Sequence, residues 1–282
     1  MERIKQALDR ARDQRTDPFQ TRPAQTPYVR KREDTLASAP AEIVYTQTRQ
    51  LEPDADFLRA NRVISSLSDP VAEPYKTLRT KVLQRMRANN WRTLAITSPT
   101  EGCGKTLTSI NLAISMAREA NQTVLLVDLD LRRPQVQRYL TPQEQPGISD
   151  YLLNDTPVPD LLFNLKGVER LVVLPGHHSV SHSSEMLSSP RMVSLFEEMK
   201  TRYPSRLVLV DMPPVLACDD VLAFSPYLDA ALLVAVDGET DRGDLTRSVG
   251  LLEKMGLVGI MLNKSSASNR GYGYGYGYGY GY

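Results

Sequence analysis

From Arg92 onward the chain repeats one pattern, a short apolar run of strand length followed by a segment with helical spacing. The runs are LAIT (94–97), VLLVD (124–128), LVVL (171–174), LVLVD (207–211), ALLVAV (231–236) and VGIML (258–262). Runs that are apolar throughout suit strands buried on both faces. Parallel neighbours need crossover connections, and the crossover helices cover those faces. The expected fold class is therefore α/β, with a mostly parallel central sheet and helices on both faces. Ligands in such sheets bind beyond the carboxyl ends of the strands, so the residues that follow each run are where chemistry is sought.

The chain has 282 residues, enough to bury a full core and to carry extensions. Its 34 Lys and Arg against 33 Asp and Glu leave a net charge of +1, which excludes a bulk field for nucleic acid or an anionic membrane surface. There are two cysteines, Cys103 and Cys218, and no apolar run of signal-peptide length or of the ~20 residues that span a bilayer. The expectation is a cytoplasmic protein with reduced thiols, brought to the inner face of a membrane only by a partner.

The ends of the chain read differently from its middle. Ile4, Ala7, Leu8 and Ala11 share one helical face, so a short amphipathic helix is expected over 1–15. Residues 16–41, interrupted by Pro18, Pro23, Pro27 and Pro40, read as a flexible linker. The main domain is expected over 42–264. It includes a helix over 73–87, on which Tyr75, Leu78, Val82 and Met86 form an apolar stripe. Residues 265–282 form a flexible tail in which Gly-Tyr repeats six times, with Tyr272, Tyr274, Tyr276, Tyr278, Tyr280 and Tyr282 on a backbone of maximal freedom.

The first run leads into Ser98-Pro99-Thr100-Glu101-Gly102-Cys103-Gly104-Lys105-Thr106-Leu107, and then into a helical pattern. A glycine loop between a strand and a helix turns backbone N–H groups onto phosphate oxygens, and the helix N-terminus adds partial positive charge. Here Gly102 and Gly104 supply the turn, Lys105 the charge for the β- and γ-phosphates, and Thr106 a hydroxyl for Mg²⁺. Pro99 stands where the usual pattern begins with glycine. Two other strands end in acids. Asp128 and Asp130, one residue apart, leave the second run on the same side, and Asp211 ends the fourth, before Met212-Pro213-Pro214. With the loop they compose an ATP and Mg²⁺ site of the P-loop NTPase kind.

These motifs, in this order, resemble the bacterial tyrosine kinases (BY-kinases) of the Min/Par-type P-loop branch. The likeness covers roughly residues 73–264 and also takes in Gly147–Leu152, Glu185–Pro190 and Leu262-Asn263-Lys264. It implies an ATP- and Mg²⁺-dependent autokinase. Lys105, Asp128 and Asp130 would be catalytic, Asp128 as acceptor of the tyrosine proton. The loop from Gly102 through Cys103, Gly104, Lys105 and Thr106 to Leu107, with Asn263, would bind ATP. Thr106, Asp130 and Asp211 would hold the metal. It further implies that Glu73, Lys76 and Arg79 contact a neighbouring subunit in a ring-like homo-oligomer, with Lys76 standing where the family motif has Arg. The expected partners are a membrane-embedded polysaccharide co-polymerase or export protein as activator, and a tyrosine phosphatase.

Beside such a site the six tail tyrosines read as phosphoacceptors, the alternative being a low-complexity aromatic tail without modification. Two rival functions stay open. One is a Min/Par-type ATPase switch, whose signature lysine is replaced here by Thr100, and the other is a nucleotide-binding subunit without transfer. His177, His178 and His182 share a polar loop that lacks a matching carboxylate or cysteine spacing, so they are a weak metal signal. Cys103 reads as small filler in the loop, Cys218 as core and Trp91 as packing.

Overall fold

The computed structural model describes residues 48–119, 122–202 and 205–265. The chain divides into two units, Met1–Ala41 and Glu42–Tyr282, and the described residues belong to the second. The helix expected over 1–15, the linker over 16–41 and the six tail tyrosines lie outside the described residues.

Eight described strands form one sheet in the order β1-β4-β5-β3-β6-β2-β7-β8. They are β1 (Arg49–Leu51), β2 (Thr93–Thr97), β3 (Thr123–Asp128), β4 (Phe163–Leu165), β5 (Leu171–Leu174), β6 (Arg206–Asp211), β7 (Ala230–Val236) and β8 (Gly256–Asn263). The six runs read from the sequence are β2, β3, β5, β6, β7 and β8, which pair in parallel throughout. The other two, β1 and β4, went unread because three residues carry no periodicity. They pair in parallel with each other, and β4 runs antiparallel to β5.

The helices are α1 (Ala55–Ala60), α2 (Ala72–Ala88), α3 (Lys105–Ala117), α4 (Val136–Leu140), α5 (Ile148–Asn154), α6 (Val158–Leu161), α7 (Ser183–Leu187), α8 (Pro190–Thr201), α9 (Asp220–Phe224) and α10 (Arg242–Leu252). Strand alternation divides the core in two. Leu94, Ile96, Val124, Leu126 and Leu209 face one side, with α2 and α3. Ala95, Leu125, Val127, Val208 and Val210 face the other, with α8 and α10. Each buried strand thus joins two hydrophobic layers, which is why its sequence reads as an unbroken apolar run.

On α2, Tyr75, Val82 and Met86 are buried and Leu78 packs against the same core. Trp91 packs there too, over Gly256 at the start of β8. Strand β2 lies between β6 and β7, both later in the chain, and its register sets Ile96 against Asp211. The next pairing sets Asp211 against Asp128. Three consecutive strands therefore end side by side at the phosphate loop.

Candidate active site

The loop from β2 to α3 is built around two left-handed glycines, Gly102 at φ 76° and Gly104 at φ 88°. At Gly104 a Cβ would also lie 2.3 Å from Asn263 Nδ2, so backbone conformation and space both require glycine. Asn263, at the end of β8, donates from that Nδ2 to the Cys103 carbonyl at 2.8 Å. On the loop's other flank, Val215 N donates to Ser98 O at 2.8 Å and Leu216 N to Pro99 O at 3.3 Å. Pro99 thus takes part through its carbonyl, where the absence of an N–H does no harm. Helix α3 starts at Lys105 directly after Gly104, so its unpaired N–H groups and the positive end of its dipole face the loop.

Three acids gather under this helix. Lys105 Nζ donates to Asp130 Oδ2 at 2.6 Å and lies 3.7 Å from Asp211 Oδ2. Asp211 Oδ2 accepts the Thr106 hydroxyl at 2.7 Å, and its Oδ1 accepts Ser109 Oγ at 2.9 Å. Burial opposes the Lys105 ammonium, but the charges of Asp211 and Asp130 outweigh it and hold its pKa above the ordinary lysine value. Burial raises the Asp211 pKa, against the stabilising effect of Lys105 and the Thr106 hydroxyl. Ser109 was not read from the sequence. Its position one helical turn after Lys105, on the Thr106 side, is the only signal that could have found it.

Asp128 is placed differently. It is fully buried, its Oδ2 accepts the backbone N–H of Gln135 at 3.0 Å and of Val136 at 2.9 Å, and its Oδ1 accepts Asp130 N at 3.2 Å. Burial and the neighbouring charge of Asp211 push its pKa up to about 8, against the pull of those amides and of Lys105. Asp128 therefore braces the 129–136 turn that presents Asp130 to the lysine.

A cavity of about 540 Å³ opens over the loop, lined among others by Gly102, Gly104, Lys105, Thr106, Leu107 and Asp130. Arg132 and Arg133 edge it, Arg132 paired with Asp220 at 3.2 Å and Arg133 with Glu101. Cys218, expected in the core, lines this cavity half-buried, because the turn after Pro213-Pro214 folds back over the loop. Cys103 is buried, 3.6 Å from the Thr100 hydroxyl.

Residues 91–236, from the first buried strand through the phosphate loop and both acidic strand ends, match the AAA domain family. The chain belongs to that family. Relatives of this AAA domain protein carry tyrosine kinase names. It is 33% identical over 208 residues to the tyrosine-protein kinase ptk of Acinetobacter johnsonii, covering 73% of this chain and 28% of the relative. It is 29% identical over 215 residues to the tyrosine-protein kinase YwqD of Bacillus subtilis, covering 74% of this chain and 89% of that one. The solved kinase domain of the Escherichia coli tyrosine kinase ETK superposes with a TM-score of 0.65 at 27% identity, covering 82% of this chain and 89% of the solved one. The resemblance to the BY-kinases and to a P-loop fold therefore holds. The chain spans only about a quarter of the length of the first relatives it matches.

The three residues expected at a subunit contact in this AAA domain protein all lie on α2. Glu73 and Lys76 pair with each other at 2.8 Å along α2. Arg79 turns inward, where Nη1 donates to Ser115 O of α3 at 3.1 Å and its buried Nε has no hydrogen-bond partner among the described residues. His177 and His178 do meet a carboxylate, Asp150, which the sequence had hidden 27 residues upstream. No helix among the described residues is long and apolar enough to cross a membrane.

Proposed function

We propose that this chain is an ATP- and Mg²⁺-dependent protein-tyrosine autokinase that phosphorylates its own Gly-Tyr tail. The observation that carries the reading is the single buried ammonium of Lys105 set between Asp130 and Asp211, beneath a glycine loop and a helix N-terminus. One lysine leaves this acid cluster with excess negative charge. Thr106, Asp130 and Asp211 offer only oxygen donors, the set that suits a hard divalent cation such as Mg²⁺. The tyrosine kinase names of the relatives support the choice of reaction.

Bound with ATP, the metal would neutralise charge on the phosphate chain, which is the main requirement of phosphoryl transfer. The protein supplies position. The amides of Gly102 to Thr106 and the start of α3 cradle phosphate oxygens, and Lys105 exchanges its carboxylate contact for the β- and γ-phosphates. Leu107 and Asn263 border the nucleotide. A tail phenol attacks the γ-phosphorus, the bond to the β-phosphate oxygen breaks, and the phenol proton passes to a carboxylate. Asp128 is proposed for that proton, and since its pKa stands at about 8 with no divalent cation beside it, a bound metal would first have to lower it. Both of its oxygens already accept backbone N–H, so the 129–136 turn has to give way for a phenol to reach it.

Transfer between subunits of an oligomer, with Glu73 and Lys76 at the contact, is part of the proposal. So is a role in exopolysaccharide polymerisation or export, at the inner face of the membrane, through a membrane-embedded partner and under a tyrosine phosphatase. The resemblance to the BY-kinases supports these last points.

The test is incubation of the full chain with Mg·ATP followed by phosphotyrosine detection, beside Lys105→Met and a chain ending at Arg270. Label on the full chain alone is expected. ATP hydrolysis without phosphotyrosine would instead identify a Min/Par-type ATPase. Mixing Lys105→Met with the active truncated chain should label the Lys105→Met chain, and no label there would exclude transfer between subunits.

A further inference from the structure

We infer that Asp150, His177 and His178 form a binding site for a divalent transition-metal ion of the zinc type, separate from the phosphate loop. One donor atom from each of the three lies within 4.8 Å of the others. His177 Nδ1 and Asp150 Oδ2 are 2.7 Å apart, a hydrogen bond that holds the imidazole in one orientation and whose proton a metal ion taken at Nδ1 would displace. The centroids of the two imidazoles are 3.6 Å apart.

This arrangement is unusual for consecutive residues. Along an extended segment neighbouring side chains project to opposite faces, as they do in β5 just before. His177 departs from that course with φ 72°, in the left-handed region that a residue with a Cβ seldom occupies. The departure brings both rings to the same side as Asp150. Backbone bonds fix the geometry, since Ile148 N donates to Pro175 O at 2.8 Å and Ser149 N to Gly176 O at 3.2 Å. Gly147 lets the two segments meet this closely, because a Cβ there would lie 2.4 Å from Pro175 O. His178 N donates to Ser149 Oγ at 3.0 Å, which ties the second imidazole to the same joint. Asp150 is itself held by Gly147 N at 2.8 Å.

The chemistry of the set narrows the ion. Two imidazoles and one carboxylate favour zinc and its neighbours over Mg²⁺ or Ca²⁺, which take oxygen donors. In zinc sites with three protein ligands the remaining position is open to water or a small ligand. Here both histidines border a cavity of about 330 Å³ that has Arg138 and Glu144 in its wall and could hold that fourth group. His182, in the same loop, is not in the cluster.

The untagged full chain, with Mg·ADP present to occupy the phosphate site, is titrated with ZnCl₂ by calorimetry, and with Co²⁺ while visible absorption is recorded. One zinc per chain is expected, with cobalt bands that zinc abolishes. His178→Ala, at an exposed position where folding should survive, should weaken zinc binding by at least about tenfold and remove the cobalt bands. Its melting temperature without metal should stay unchanged, and the zinc-induced rise in melting temperature should vanish. His182→Ala should behave as the wild type. Zinc affinity equal in His178→Ala and wild type, or no binding up to roughly 100 μM zinc, would overturn the assignment.

Discussion

Asp211 is bound to Ser109 as well as to Thr106, so the carboxylate that ends β6 is fastened to two positions of α3. The Ser109 hydroxyl donates to Oδ1 at 2.9 Å and the Thr106 hydroxyl to Oδ2 at 2.7 Å. If Thr106 turns toward a metal, the Ser109 hydroxyl still fastens Asp211 to α3. Ser109→Ala should therefore lower stability by about 1.5 to 3 kcal/mol, the range for a hydrogen bond to a charged group. It should also raise the Mg²⁺ concentration needed for half-maximal turnover more than it changes ATP affinity. Urea unfolding and a Mg²⁺ titration of turnover measure the two effects. An unchanged Mg²⁺ requirement would show that Ser109 serves the fold alone.

Asp128→Asn separates bracing from proton transfer. The amide has one acceptor oxygen, whereas Asp128 uses Oδ2 for Gln135 and Val136 and Oδ1 for Asp130. An –NH₂ group must then face a backbone N–H, which costs about 1 to 3 kcal/mol in a buried site. Nucleotide binding should persist, because the Lys105 contacts lie elsewhere, while tail phosphorylation should fall by at least about a hundredfold if the carboxylate takes the proton. Autophosphorylation at the wild-type rate, alongside lowered stability, would leave Asp128 as a brace and move the proton to another acid.

Gly104→Ala tests the loop. The variant would meet a left-handed backbone and a Cβ contact of 2.3 Å with Asn263 Nδ2. Strain of about 1 to 3 kcal/mol is expected, with nucleotide affinity reduced by at least about tenfold. Adding Asn263→Ala removes the contact but not the backbone strain, so the double variant should recover only part of the stability. Full recovery would mean that the contact, and not φ, made glycine necessary.

These residues also show what the sequence could and could not reveal. Lys105, Thr106, Asp130 and Asp211 were legible because each ends or closely follows a strand or begins a helix, and parallel topology brings those termini together. Ser109 and Cys218 were not, since their roles depend on how α3 and the turn after β6 pack across the sheet. Asp128 and Asp130 look equivalent as alternate residues, yet the turn at 129–136 buries one and presents the other to Lys105. The strands β1 and β4 carry only three residues each, RQL and FNL, too few for any period to emerge. Asp150 and His177 meet only because α5 docks against the end of β5.

Asp229 ties β2 to β7 at the edge remote from the site. Its Oδ2 accepts Arg92 N at 2.7 Å and Thr93 N at 2.8 Å, and Lys200 lies 3.7 Å from Oδ1. Burial works against its charge, but these partners prevail and hold the folded pKa below the ordinary aspartate value. A depressed folded pKa contributes stability that is present above the unfolded pKa of about 4 and is lost as pH falls through the folded value. Asp229→Asn should thus be less stable than wild type by about 1 kcal/mol at pH 7, with the gap closing as pH drops below about 4. A gap independent of pH would point to packing instead of charge.

The helix α2 allows its fold role to be separated from a role in assembly. Glu73 is exposed and Lys76 half-exposed, and their i, i+3 pair at 2.8 Å is of the kind worth at most about 0.5 kcal/mol. Arg79 differs, because it donates to Ser115 O and lays its stem between α2 and α3. Arg79→Ala should therefore lower stability by about 1 to 2 kcal/mol through the lost hydrogen bond and packing. The double change Glu73→Ala with Lys76→Ala should leave the unfolding midpoint unmoved. If α2 is an assembly surface, that same double variant should scatter light as a smaller species than wild type at equal concentration, and tail phosphorylation between subunits should fall with it. Arg79→Ala should alter the mass only under conditions where it also begins to unfold. Wild-type mass and wild-type transfer in the double variant would remove Glu73 and Lys76 from the interface, and the search for the contact would move to another face of the domain.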